Sequence, residues 1–173
     1  MTTNPPIPPA LREAVIEAMK NVFGDDRRRI DRAMAVLEAA EHLLGEIAAD
    51  PVVVTAAAIL HDIGIAAAER KHGSSAARYQ ELEGPPIARP ILETLQVDPE
   101  RIDHVCDIIA NHHCAAGRDS PEFRLLWDAD VVINLMPQSP PPPGDPLQKM
   151  LADNFRTDAG CALAAERFQA SRR

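Results

Sequence analysis

The sequence predicts an all-α fold, and three observations predict it. Aromatic residues make up 3% of the 173 residues while hydrophobic residues reach 46%. The core must therefore be built from Ala, Leu, Ile and Val, a composition suited to packed helices rather than to a β-sandwich, which leans on aromatic and β-branched side chains. Apolar residues recur at helical spacing, as in Ile30, Met34, Leu37, Leu44 and Ile47. Finally, a capping residue followed by proline appears at Asp50-Pro51, Asp98-Pro99-Glu100 and Ser120-Pro121-Glu122. Proline is tolerated at the first helical position because its missing N–H would have no partner there anyway. No internal repeat and no strand pattern is visible.

The elements follow in order. Met1 to Pro9, with Pro5, Pro6, Pro8 and Pro9, reads as an extended arm. A first helix is expected from Ala10 to Phe23, stopped by Gly24. Asp25 and Asp26 are candidate caps for a second, from Arg27 to Ala49. Asp50-Pro51 starts a third that runs to His61-Asp62. A short helix from Ala66 breaks at Gly73. Ser74 caps a segment through Glu83, which Gly84-Pro85-Pro86 interrupts, and helix resumes from Ile87 to Leu95. Asp98 starts the helix ending at His113, and Ser120 starts the one carrying Trp127, Asp128 and Asp130. Pro137 to Pro146 reads as an exposed, semi-rigid loop. A last helical region covers Leu147 to Gln169, with a break near Thr157. The whole is a single domain over residues 1–173, long enough to bury a core.

The formal charge is −8, which argues against an extended nucleic-acid surface but leaves room for a local basic pocket. The three cysteines, Cys106, Cys114 and Cys161, are irregularly spaced and include no CxxC pair. They fit reduced thiols and a cytoplasmic protein. The polar amino terminus does not read as a leader, and no apolar run approaches the ~20 residues needed to span a bilayer.

The chemistry-bearing pattern is a set of histidines and carboxylates at helix ends. His61 and Asp62 close the small-apolar run Ala57-Ala58-Ile59-Leu60, with Gly64 just beyond. His112 and His113 extend the apolar face of Ile102, Val105, Cys106, Ile108 and Ile109. Asp130, in register with Leu126, Trp127, Ile133 and Asn134, should face inward. Buried carboxylates are rare unless paired or metal-bound. Neutral imidazole with carboxylate suits a divalent transition metal.

In these residues the chain resembles the HD-domain metal-dependent phosphohydrolases, named for the adjacent His-Asp pair. The likeness covers roughly Arg27 to Phe168. Lys71-His72-Gly73-Ser74-Ser75, Tyr79 through Ala88, Asn111-His112-His113, Leu126 through Asp130 and Phe155 through Gly160 resemble a bacterial subgroup of such hydrolases. The resemblance implies a compact helical bundle and hydrolysis of a small phosphate ester or nucleotide. It implies one or two divalent ions (Fe, Mn, Ni or Zn). His61, Asp62 and Asp130 would bind the first, and His112 and His113 fall where two-metal members keep further ligands. Glu83 lies near a ligand position and reads equally as a solvated helix residue. Asp62 would bridge or orient the ions, and Lys71 and Arg156, which lie within the matching motifs, are the candidate phosphate contacts. Arg32, Arg78 and Arg89 are further cations on offer.

The chain departs from the pattern in two places. The family's first histidine belongs on the second helix, where this chain has Arg32. Arginine stays protonated and has no lone pair to give. His42 lies on another part of that helix and reads as a surface residue. Asp31 points about 100° away from Arg32. Many members also carry lysine after the His-Asp motif, where this chain has Ile65. Two outcomes are open: an ion shifted toward Asp62, Glu83, His112 and His113, or a guanidinium standing in the first site against Asp62 or Asp130. The second outcome suits a rival function, a non-catalytic domain that binds a nucleotide or phosphate or acts as an interaction module. Self-association is compatible with either.

Overall fold

The computed structural model describes residues 5–114, 117–135 and 144–170. Among them are nine helices and no strand: α1 (Pro9–Phe23), α2 (Arg27–Leu44), α3 (Pro51–Leu60), α4 (Ile65–His72), α5 (Ala77–Thr94), α6 (Pro99–Ile109), α7 (Pro121–Leu135), α8 (Asp145–Asn154) and α9 (Asp158–Ala170). The expected all-α architecture is the observed one.

Helix α3 is the axis of the bundle. Val52 through Leu60 are all buried, because the helix is apolar on every face and can be stable only when surrounded. Helices α1, α2, α6 and α7 surround it, and α2 also packs along α7. The expected caps start these helices. Asp50 Oδ1 accepts from the Val52 and Val53 N–H groups at 2.9 and 3.4 Å, and Asp98 Oδ1 does the same for Glu100 and Arg101. Asp26 accepts from Arg29 N, and Ser120 Oγ from Phe123 N. Each such cap is worth about 1 kcal/mol. The bundle also ties these ends together: Arg101 Nε donates to Asp50 Oδ2, and Asp50 N donates to Glu122 Oε1.

Several boundaries differ from expectation. Helix α2 ends at Leu44, because Gly45 and Ile47 turn back onto the His42 and Leu43 carbonyls. Helix α6 closes at Ile109, and the next residues form turns that lead to the histidines. Pro146 lies inside α8, in its first turn, while the rest of the expected proline-rich loop up to residue 143 falls outside the described residues. So do the first four residues of the expected arm. Pro9 begins α1 rather than ending the arm.

The largest correction is α5. Gly84-Pro85-Pro86 does not interrupt it; the helix runs unbroken through Pro85, Pro86 and Pro90. Interior prolines cost roughly 3 kcal/mol each in an isolated helix. Packing offsets this: α5 lies against both α4 and α6, burying Glu83, Gly84, Ala88 and Leu92. Gly84 is a contact residue here, since a Cβ on it would come within 2.5 Å of Ile109 Cγ2.

Among the described residues no single helix is long and apolar enough to cross a membrane. The bent pair α3 and α4 has the length and composition together, yet α3 is enclosed by its neighbours.

Candidate metal centre

His61, Asp62, His112, His113 and Asp130 come together at the carboxyl end of α3. His61 is the C-cap of α3, and its Nδ1 donates to the Ala58 carbonyl at 2.9 Å. His112 repeats the device after α6, with Nδ1 donating to the Ile109 carbonyl at 2.8 Å. A carbonyl can only accept, so each Nδ1 carries a proton and each Nε2 is left as the working nitrogen. Both Nε2 atoms are buried without a hydrogen-bond partner. The two rings meet edge to face at 5.4 Å, and both Nε2 atoms face Asp62.

The two oxygens of Asp62 serve different halves of the site. Oδ2 lies 3.2 Å from His61 Nε2 and accepts from Arg32 Nε at 3.0 Å. Oδ1 faces His112 Nε2 at 3.7 Å.

The first half is closed by Arg32. Its Nη2 donates to Asp130 Oδ1 at 2.5 Å, and that same oxygen lies 3.5 Å from His61 Nε2. The guanidinium thus bridges the two carboxylates that the family pattern assigns to the first ion. Burial alone would push His61 down, but Asp62 and Asp130 outweigh it and raise its pKa to about 10. Burial likewise raises Asp62 and Asp130, and the adjacent imidazoles and Arg32 overcome it, holding both carboxyls below the usual range. The permanent positive charge of Arg32 stands between the two carboxylates, where an ion of this half would have to sit. The residues of this half do not fit a metal ion.

The second half does fit one. Asp62, His112 and His113 offer ligand atoms that all lie within 4.8 Å of one another. Two ligand atoms held ~2.1 Å from one ion at a tetrahedral angle stand about 3.4 Å apart, close to the 3.7 Å between His112 Nε2 and Asp62 Oδ1. His112 Nε2 is buried without a hydrogen-bond partner and faces a carboxylate oxygen, a pair that a cation placed between them would satisfy. Burial and the neighbouring His112 push His113 down, which favours the neutral imidazole that a metal needs. Its ring packs on His112 at 3.9 Å and, unlike His112, it is exposed.

The remaining predicted residues separate from this cluster. Glu83 is buried, but its oxygens are held by Lys71 Nζ at 2.5 Å and His72 Nε2 at 2.9 Å, which lower its pKa. The carboxylate beside the histidines is Glu81, which the sequence reading passed over. Its Oε1 accepts from His113 N at 3.0 Å and lies 3.8 Å from His113 Nδ1. Glu81 and Glu83 flank Leu82 in one motif, and only the azimuth of α5, set by the Gly84 contact, selects between them. Lys71 is engaged with Glu83. Arg156 places its guanidinium 4.2 Å from the Trp127 ring centroid and 5.9 Å from that of Phe123. Arg78 lies over Tyr79, Arg89 pairs with Asp103, and His42 and Cys114 are exposed.

Asp128, two residues from Asp130, has a structural task. It accepts from Arg156 N at 2.7 Å, Thr157 N at 3.0 Å and Thr157 Oγ1 at 2.6 Å. Gly160 packs directly on its carboxylate, leaving no room for a Cβ. Asp128→Ala strands two backbone donors in a tight turn and should cost about 2–3 kcal/mol, read as a lower urea midpoint. Metal content per folded chain should not change.

The molecule is an all-helical bundle whose central helix ends in a buried His-Asp pair, joined by two histidines from the turns after α6 and by an aspartate of α7. The model of the HD domain family matches residues 29–135, and the chain belongs to that family. A solved structure described as a predicted HD superfamily hydrolase, from an uncultured Thermotogales bacterium, resembles it in fold. The TM-score is 0.68 at 22% identity, covering 94% of this chain and 87% of that one. No curated protein matches.

Proposed function

We propose that this chain is a metal-dependent phosphohydrolase acting on a small phosphate ester or nucleotide. The observation that carries the reading is the buried, unpartnered Nε2 of His112 facing Asp62 Oδ1, with His113 beside it. A divalent ion bound there would acidify water and withdraw charge from a phosphoryl oxygen; Fe, Mn, Ni and Zn all suit a set of imidazoles and carboxylate.

The chain's own residues prepare this chemistry. The Ala58 and Ile109 carbonyls fix the imidazole orientations. Asp62 joins the ligand cluster to Arg32. Glu81, next to His113, is placed to take a proton from water at the cluster. Family membership and the shared fold support hydrolase chemistry at the level of the superfamily. Cytoplasmic residence accords with three free cysteines.

Metal analysis of the purified protein tests the reading. We expect about one ion per chain and hydrolysis of p-nitrophenyl phosphate. His112→Ala should lose most of both; an outer partner of a metal ligand already costs 10–100-fold when mutated, so a ligand should cost more. A metal-free chain in which His112→Ala changes nothing would sink it. That result would favour the second reading, a phosphate- or nucleotide-binding domain without turnover, for which the Arg32 bridge across Asp62 and Asp130 is the specific support. Such a domain should gain thermal stability with nucleotide in the absence of metal.

A further inference from the structure

We propose that Arg32 is the phosphoryl-binding residue of this centre, and that the group it takes is a terminal phosphate, as in a phosphomonoester. The inference rests on the hydrolase reading above and adds a residue and a substrate class to it.

A guanidinium presents two forks of parallel N–H donors. The side fork of Arg32, Nε with Nη2, is committed to Asp62 Oδ2 and Asp130 Oδ1. The end fork, Nη1 with the second hydrogen of Nη2, meets no acceptor among the described residues, and the side chain is 31% exposed. The two anchoring carboxylates are only 8% and 13% exposed. Arg32 is therefore not a mobile surface arginine. It is a fixed cation with one fork pinned and the other free, the condition for binding an anion without a further ordering cost.

Its position relative to the ligand cluster follows from Asp62. One oxygen of that carboxylate holds the guanidinium and the other faces His112, so Arg32 and the ligand cluster share a single carboxylate. Three other cations make contacts of their own: Lys71 with Glu83, Arg29 with Asp26 and Glu69, and Arg156 over Trp127.

The oxygen count then selects the ligand. A fork takes two phosphoryl oxygens, and the cluster side takes a third. A terminal phosphoryl group has three unsubstituted oxygens; an internal diester has two.

The test compares the wild type with Arg32→Lys, which keeps a positive charge between the two aspartates but has no fork. Both proteins are incubated with Mn²⁺, their manganese is counted, and inorganic phosphate is titrated by calorimetry. Phosphate binding should weaken about tenfold or more in the variant, a 1.4 kcal/mol effect, when the two proteins are compared at Mn²⁺ concentrations that load them equally. KM for p-nitrophenyl phosphate should rise more than kcat falls, and the wild type should prefer that monoester to bis(p-nitrophenyl) phosphate. Equal phosphate affinity in the two proteins, or preference of the wild type for the diester, overturns the proposal. If neither protein holds manganese, the hydrolase reading fails by itself, and phosphate affinity of the metal-free proteins still decides the role of Arg32. Should Arg32→Lys not fold, as read by circular dichroism, Arg32→Gln takes its place with the same expected loss.

Discussion

Asp62→Ala is expected to remove metal binding, to lower any phosphohydrolase activity by about a thousandfold or more, and to destabilise the fold, all from one substitution. The activity figure follows from losing both a ligand and the anchor of Arg32, where one well-placed electrostatic group alone is worth about 10²–10³ in rate. The stability loss has a separate origin. Asp62 sits among His61, His112 and Arg32, and removing one member of a buried charge cluster leaves the others uncompensated, at about 3–5 kcal/mol. For a domain of this size that is a fall in Tm of roughly 6–20 °C. Asp62→Asn separates the two losses. It keeps the shape and can still accept from Arg32, so it should recover part of the stability while metal content stays low. Full metal content in Asp62→Ala would show that the ion lies elsewhere.

The half of the centre that the sequence made legible is the half built on regular helix geometry. His61-Asp62 and His112-His113 could be placed because each pair follows directly on an apolar helix whose face was plain from its periodicity. Asp130 could be placed by its register with Leu126 and Ile133. Arg32 was recognisable as a residue unable to ligate; its guanidinium bridges Asp62 and Asp130, and an ion shifted toward Asp62, His112 and His113 is the proposal made above. What could not be read was which of two neighbouring carboxylates turns toward the histidines. Glu81 and Glu83 sit on opposite sides of Leu82, and their roles depend on how α5 is rotated against α4. The same gap misplaced the end of the first segment at Glu83. Local rules assign Gly84-Pro85-Pro86 to a break, and those rules hold for an isolated helix. In the fold, contacts with α4 and α6 override them, and such contacts join residues too far apart in sequence for spacing to reveal. The roles of Lys71 and Arg156 were inferred from motif membership. Their observed partners, Glu83 and the Trp127 ring, explain the motifs equally well as parts of the scaffold.

The contact responsible for the α5 geometry makes the second prediction. Gly64→Ala should destabilise the protein by about 3 kcal/mol or more. A Cβ at this position would overlap the Gln80 carbonyl oxygen and lie within 2.6 Å of Gly84 N and 3.0 Å of Gly84 Cα. All of these are backbone atoms, so no rotamer change relieves them, and α4 must move away from α5. Overpacking in a well-filled interior costs 1–3 kcal/mol where side chains can adjust; here they cannot. Gly64 has φ −77°, so the glycine is required by close approach and not by a left-handed turn. Gly45→Ala is the control. Gly45 has φ −66° and its Cβ would meet only the His42 carbonyl, at 3.2 Å; that change should alter stability by less than about 1 kcal/mol in either direction. Chemical denaturation of the two variants side by side isolates the interhelical term from the general effect of replacing glycine. Because Glu81 and Glu83 are carried by α5, a folded Gly64→Ala protein should also bind its metal less tightly, while Gly45→Ala should bind it as the wild type does. Equal stability of the two variants would mean that α4 and α5 are not in contact at Gly64, and the placement of Glu81 beside His113 would fall with it.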